Sequence, residues 1–348
     1  MARMRTSPIA GAIDRATLPR SATLDLVRTF ATEFAPARVR PVAVLRSPSL
    51  DRRADPSGAT RIWLALEHLQ VTGSFKVRGA LFAMARAKQA GVREIVAASA
   101  GNHGAGVAYA ANVLGMSAKV VVPSTAPMVK RDKIAAYGAE LIVSGAEHYD
   151  GAEAEAKALA ARTGAKFLSA YDAEDVVLGN GTSLGFEIVR SMGGVPDRVL
   201  LPFGGGGLAT GVAWALEDER ETSEGERRVW GVQSEASPAM EMSLAQEAAV
   251  ETLVPSPTLA EGLEGGIAKD AFARARGVVA GIVVVSEAQI ALCMRYAQSE
   301  LGATLEGSAA AALAPVIAGL PESTRGGDVV VVLTGQNVDQ DRVEKMAV

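Results

Sequence analysis

Short apolar segments alternate with helix-patterned ones along most of this chain, and that alternation restricts the possible folds more than any other feature. Ile62–Leu66, Glu94–Ser99, Lys119–Pro123, Glu140–Ser144 and Lys166–Ala170 read as strands, with helical stretches at Gly79–Ala90, Ala105–Leu114, around Val129–Tyr137 and at Asp150–Thr163 between them. Strands without a wet face belong in a parallel sheet covered on both sides, because a helix must carry the chain back between successive strands. A second series follows: helix Gly185–Met192, strand Arg198–Pro202, helix Leu208–Glu219, strand Arg228–Gln233 and a late strand Asp328–Thr334. The fold class is α/β with two mainly parallel sheets flanked by helices, and residues 94–172 form one compact unit.

The remaining segments are less regular. Leu24, Leu26, Val27 and Phe30 mark a first amphipathic helix, whereas Arg38–Arg53, punctuated by prolines, reads as extended chain and loop. Met1–Ser21 carries Arg3, Arg5, Arg15 and Arg20 together with Asp14, and has no apolar segment of the length a secretory signal requires. It reads as a loose arm, residues 1–22, on a cytoplasmic protein.

Composition removes several function classes. At roughly 150 residues per domain, 348 residues hold two domains. A net charge of −4, from 35 basic and 39 acidic side chains, offers no basic footprint for nucleic acid. No apolar run reaches the about 18 to 20 residues of a membrane span. The single cysteine, Cys293, lies in the helical-looking stretch Gln289–Glu300, so no disulfide forms within the chain and the thiol reads as a small core hydrophobe. His68, His103 and His148 stand apart, with no acid or thiol at ligand spacing, so no metal is expected.

Ligands of open parallel sheets collect at the carboxyl ends of the strands, and four turns there carry polar or glycine-rich sequence. Gly204-Gly205-Gly206-Gly207 follows a strand and precedes a helix, so bare backbone N–H groups and a helix N-terminus meet, which suits a phosphate. Leu208 and Ala209 after the glycines argue against a P-loop. Gly204-x-Gly206-x-x-Ala209 does satisfy a relaxed dinucleotide pattern, whose acid would be Glu219, Glu221 or the later Glu235. In Val71–Ala80, Lys76 stands at a helix start, where the dipole disfavours an ammonium; on this turn alone, a solvated lysine or a neutral, covalently linked one both fit. Ser99-Ala100-Gly101-Asn102-His103-Gly104 offers N–H groups, a hydroxyl and an amide suited to a carboxylate, although His103 equally fits a helix cap. Thr334-Gly335-Gln336-Asn337 closes the last strand with a hydroxyl.

Taken in order, Thr72-Gly73-Ser74-Phe75-Lys76-Val77-Arg78-Gly79-Ala80, Ser99–Gly104, Gly179-Asn180-Gly181-Thr182, the four glycines and Thr334–Asn337 resemble the fold-type II pyridoxal phosphate enzymes. Within them the chain is most similar to the serine/threonine dehydratase and serine racemase branch, over about residues 23 to 340. The resemblance implies a tryptophan synthase β-like fold of two domains, with 23–93 plus 173–348 as the large cofactor-binding domain and 94–172 as the small one. It implies pyridoxal 5'-phosphate held covalently by Lys76, its phosphate on Gly204, Gly205, Gly206 and Gly207, its phenolic oxygen near Asn102, its ring near Phe75 and its pyridine nitrogen facing Thr334. Ser99, Gly101, Asn102 and His103 would bind the substrate carboxylate. The implied reaction is β-elimination from L-threonine, L-serine or a related 3-hydroxy amino acid, with Lys76 removing the Cα proton, to give a 2-oxo acid and ammonia. A homodimer is usual for the family.

Departures matter too. Gln233 and Ala239 stand where divalent-cation-dependent members of the branch carry two acids, which puts magnesium dependence in doubt. Asn180 and Gln336 replace the commoner Gln and Gly, and Ala100 replaces the serine that serves as second proton carrier in the serine racemases. The chain runs only to Val348, so the resemblance implies no regulatory extension of the kind the allosteric dehydratases carry. The rival readings are a racemase or β-replacement enzyme of the same fold, a nicotinamide oxidoreductase using the relaxed glycine pattern, and a silent protein that keeps the cofactor site.

Overall fold

The computed structural model describes residues 4–170, 173–220, 225–254 and 256–338. In chain order the strands are β1 (Arg5–Pro8), β2 (Val44–Arg46), β3 (Thr60–Ala65), β4 (Glu94–Ala98), β5 (Ser117–Val122), β6 (Glu140–Val143), β7 (Lys166–Phe167), β8 (Arg198–Pro202), β9 (Val229–Ser234), β10 (Gly281–Val285) and β11 (Gly327–Val332). The helices are α1 (Ser21–Thr29), α2 (Pro48–Ala54), α3 (Lys76–Gln89), α4 (Asn102–Leu114), α5 (Met128–Ala136), α6 (Tyr149–Thr163), α7 (Glu174–Val177), α8 (Ser183–Met192), α9 (Gly207–Asp218), α10 (Ala239–Gln246), α11 (Lys269–Val278), α12 (Glu287–Glu300) and α13 (Gly307–Ala318).

Two sheets result. A seven-stranded sheet runs β1-β10-β9-β8-β11-β3-β2, and a four-stranded sheet runs β6-β5-β4-β7. The five inner strands of the larger sheet pair in parallel, and only the edges β1 and β2 are antiparallel. Val329, Val330, Val331 and Val332 of β11 are all buried, so neither face of that central strand meets water. This is the burial that an unbroken valine run requires. Helix α13 carries no charged residue and is buried along its length, which seats it in the core of the large sheet. Cys293 is buried among the apolar side chains of the same cluster, as a core thiol should be.

Three local expectations are corrected. The N-terminal segment is not loose: Arg5–Pro8 pairs with β10, and Arg227 reaches across to the Ala12 carbonyl at 2.7 Å. A bare edge of β10 would leave a row of unpaired backbone groups, and the arm satisfies them. The stretch 38–53 is not all loop, since β2 and α2 fall inside it. Pro48 sits at the first helical position of α2, where its fixed φ and missing N–H favour a helix start. Finally, α3 starts at Lys76 and α4 at Asn102, three residues earlier than their apolar periodicity indicates. Polar first turns carry no periodic signal, yet they place both residues at helix N-termini.

Candidate active site

Every residue to which the resemblance gives a cofactor contact lines one cavity: Phe75, Lys76, Asn102, Gly204, Gly205, Gly206, Gly207 and Thr334. The sheet order explains the convergence. Strands β8, β11 and β3 are neighbours, and the glycine run, Thr334 and the Lys76 turn follow their carboxyl ends. Asn102 comes from the end of β4 in the other sheet. The Phe75 N–H donates to the Thr334 carbonyl at 3.1 Å, so the lysine turn and the last strand are tied together.

Lys76 is the unusual group. Surrounding protein strips its ammonium of water and lowers its pKa to about 8, against the opposing pull of the Glu306 carboxylate. Its Nζ lies 3.4 Å from the Ala170 carbonyl oxygen and 5.4 Å from the centre of the Phe75 ring. A solvated surface lysine has neither property, so this burial counts against the solvated reading of the turn. Asn180, in the wide turn Leu178–Thr182, accepts the Gly79 N–H at 2.8 Å and so fastens the first turns of α3.

Glu306 is a site residue that the motifs did not include. Its carboxylate accepts from the Asn102 amide at 2.9 and 3.0 Å, and burial raises its pKa to about 7. The Asn102 carbonyl in turn accepts from Asn337 at 2.6 Å, and Asn337 takes a hydrogen bond from Lys133 on α5. Asn102 is thus clamped between two partners that hold its orientation. One signal for Glu306 was present: a lone acid immediately before the uncharged helix α13 cannot easily reach water.

Ser99, Gly101 and His103 adjoin Asn102 outside the cavity lining. The Ser99 hydroxyl accepts the Gly101 N–H at 3.1 Å, which shapes the entry to α4. His103 is buried in the first turn of α4 rather than at its cap, with Nε2 3.3 Å from the Leu168 carbonyl oxygen. Burial, and secondarily the charge of Lys76, hold its pKa down at about 4, so the ring is neutral at pH 7 and its backbone N–H is the donor it can offer an anion.

The glycine run fits a phosphate. Gly206 has φ +82°, a conformation that favours glycine, and a Cβ there would stand 3.0 Å from the Phe203 ring. A Cβ on Gly204 would come within 3.1 Å of the Gly262 carbonyl oxygen. The dinucleotide reading loses support at Glu219, which is paired with Arg28, and at Glu235, which accepts the Glu287 N–H at 3.3 Å; Glu221 lies outside the described residues. Among the described residues no group of three or more His, Cys, Asp or Glu side chains could hold a metal ion.

Comparison with known proteins agrees with this geometry. An L-threonine ammonia-lyase of Thermotoga maritima is 36% identical over 287 residues, covering 82% of this chain and 69% of that protein. A threonine deaminase from T.th. superposes with a TM-score of 0.79 at 32% identity, covering 92% of this chain and 99% of the other. A pyridoxal 5'-phosphate-dependent aspartate racemase superposes with a TM-score of 0.81 at 25% identity, covering 94% and 99%. The profile of the pyridoxal-phosphate dependent enzymes matches residues 37–335. With the match spanning most of the chain, and with relatives above 30% identity over more than four fifths of it, the chain belongs to the family of pyridoxal-phosphate dependent enzymes.

Proposed function

We propose that this chain eliminates the β-hydroxyl and the amino group of L-threonine, L-serine or a related 3-hydroxy amino acid, releasing a 2-oxo acid and ammonia. The observation that carries the reading is Lys76, an amine with its pKa lowered to about 8 on the wall of a cavity shared with the glycine run and the neutral hydroxyl of Thr334. When bound, pyridoxal 5'-phosphate supplies an electron sink for charge that develops at the substrate Cα. Glycine N–H groups and the start of α9 would hold its phosphate, Asn102 would meet its phenolic oxygen, and Phe75 would lie beside its ring. The Thr334 hydroxyl, on the same cavity wall, would face the pyridine nitrogen without imposing a full positive charge on it, which would serve elimination. Lys76 Nζ takes the Cα proton, and burial keeps enough of the amine neutral to do so. The Ser99 hydroxyl, Gly101 and the backbone N–H groups of Asn102 and His103 at the start of α4 would orient the substrate carboxylate, the Ser99 backbone N–H being already given to Val121 at 3.1 Å.

The separate four-stranded and seven-stranded sheets support a division into a small domain, 94–172, and a large one, 23–93 plus 173–348. A cytoplasmic homodimer completes the reading and rests on the family resemblance. The direct assay is 2-oxo acid release from serine, threonine, hydroxyaspartate and phenylserine. Release from none of them ends the proposal.

Two further outcomes follow. Gly206→Val puts a branched side chain at a positive φ and against the Phe203 ring, so the folded variant should lose cofactor at least about tenfold more readily. Equal retention would move the phosphate away from the glycine run. Similarity to an aspartate racemase favours a second reading, inversion, and Ala100 separates the two. Inversion needs proton carriers on both faces of the carbanion, and a methyl group carries none. In the unmodified enzyme pyruvate should therefore form from L-serine much faster than D-serine, and Ala100→Ser should raise the share of D-serine. Chiral chromatography of the residual serine decides the matter.

A further inference from the structure

Gln233, near the end of β9, has no exposed surface, and both ends of its amide are engaged. Its oxygen accepts the backbone N–H groups of Met240 and Glu241 at 3.1 Å each, in the first turn of α10. Its nitrogen donates to the Phe203 carbonyl at 3.3 Å. The orientation is dictated by the partners, because two N–H donors on one side demand an acceptor and a carbonyl on the other demands a donor. Phe203 immediately precedes the glycine run, and its own N–H donates to the Val232 carbonyl at 2.8 Å. Its fully buried ring fills the space left by the missing side chain of Gly231, where a Cβ would stand 2.5 Å away, and it supports Gly206 from below. The residue from which the glycine run hangs is therefore fixed to β9 at its N–H, its carbonyl and its ring.

A divalent cation does not fit here. Hard cations take six or more oxygen ligands. The Gln233 oxygen is turned toward α10, position 239 presents only a methyl group, and the Phe203 carbonyl already receives a proton donor.

We propose that Gln233 is a positioning residue for the phosphate-holding glycine run, and that its amide N–H does at the Phe203 carbonyl what a bound cation would otherwise do. This rests on the reading that the run holds the cofactor phosphate. Gln233→Glu tests it with little change in shape. At a pH high enough to ionise it, the carboxylate still accepts from Met240 and Glu241, but its second oxygen then faces the Phe203 carbonyl with no proton between them. Two facing acceptors in a buried place call for a cation.

The measurement is the rate at which the purified holoenzyme loses cofactor, followed by absorbance, in EDTA and in magnesium, over a pH series up to the range in which Gln233→Glu responds to magnesium or the protein's own stability ends. The unmodified enzyme should show one rate in both. Gln233→Glu should release cofactor roughly tenfold faster in EDTA, as an unsatisfied buried carbonyl predicts, and magnesium should slow it again. Gln233→Met, which lacks both functions, should release quickly whether or not magnesium is present, and it serves if the Glu variant does not fold. Cofactor loss from the unmodified enzyme on chelation would overturn the proposal, as would slow release from folded Gln233→Glu in EDTA or from Gln233→Met. Gly206→Val in the same assay separates the two levels of argument. If that variant also retains cofactor, the phosphate reading has failed; if it alone loses cofactor, only the role of Gln233 has.

Discussion

Lys76→Ala releases 2-oxo acid at least about a thousand-fold more slowly than the unmodified protein, within the range a positioned base contributes, and takes no pyridoxyl label when the loaded protein is reduced with borohydride. In the unmodified protein, peptide mapping should place that label on Lys76. The argument is electrostatic: attachment of the cofactor's aldehyde and abstraction of the Cα proton both require a neutral amine. At pH 7 an ordinary lysine is neutral in roughly one molecule in three thousand. A pKa of about 8 raises this to about one in ten. Cofactor uptake by the stripped protein should therefore speed up as pH rises toward 8 and level off above it. The sign also shows in stability. Between about 8 and the ordinary lysine value of 10.5 the folded protein binds fewer protons at Lys76 than the unfolded chain. The cofactor-free protein thus gains stability as pH rises through that window, and Lys76→Met abolishes the gain. A label on another lysine would falsify the assignment.

Arg78→Met lowers stability by about 3 to 5 kcal/mol, the cost of stripping a buried ionic cluster of its cation. Arg78 is wholly buried between two carboxylates. It donates to Glu67 through Nε and Nη2, both at 2.8 Å, and to Glu187 through Nη1 and Nη2 at 2.8 and 3.0 Å. The two acids hold the guanidinium pKa far above its usual value despite the opposing effect of burial. Methionine fills much the same volume but leaves two desolvated carboxylates facing each other. Glu187→Gln should cost less, because one carboxylate still pairs with Arg78 and the amide oxygen still accepts the Val42 N–H, now made at 2.7 Å. Since Arg78 lies two residues after Lys76 in the first turn of α3, the cluster also holds that turn against the chain around residues 40 and 67. Urea midpoints at equal slope measure both variants. A loss below about 1 kcal/mol for Arg78→Met would show that water reaches the cluster.

Much of the fold is legible in the sequence because its signals are local. Unbroken apolar runs such as Val329–Val332 can only be inner strands of a covered sheet, and the glycine run and the Lys76 turn are contiguous motifs with a direct chemical reading. Strand β10 escapes that reading although Gly281–Val285 has the same character and is followed directly by the polar helix cap Ser286. In the sequence Gln233 stands out only as a missing acid, and the structure shows its amide in use at both ends.

Fold class, the lysine turn and the glycine run can thus be read from the chain alone, because periodicity and turn chemistry are written within a few residues. Which groups meet is a matter of tertiary structure. The order β8-β11-β3 brings residues 204, 334 and 76 to one cavity. Glu306 reaches Asn102 across 204 positions of chain. Burial, which shifts Lys76 and Glu306 toward each other in pKa, belongs to that assembly and to no segment of it. Propensity acts between near neighbours, whereas desolvation and charge pairing depend on distance in space, and the chain acquires those distances only when both sheets are in place.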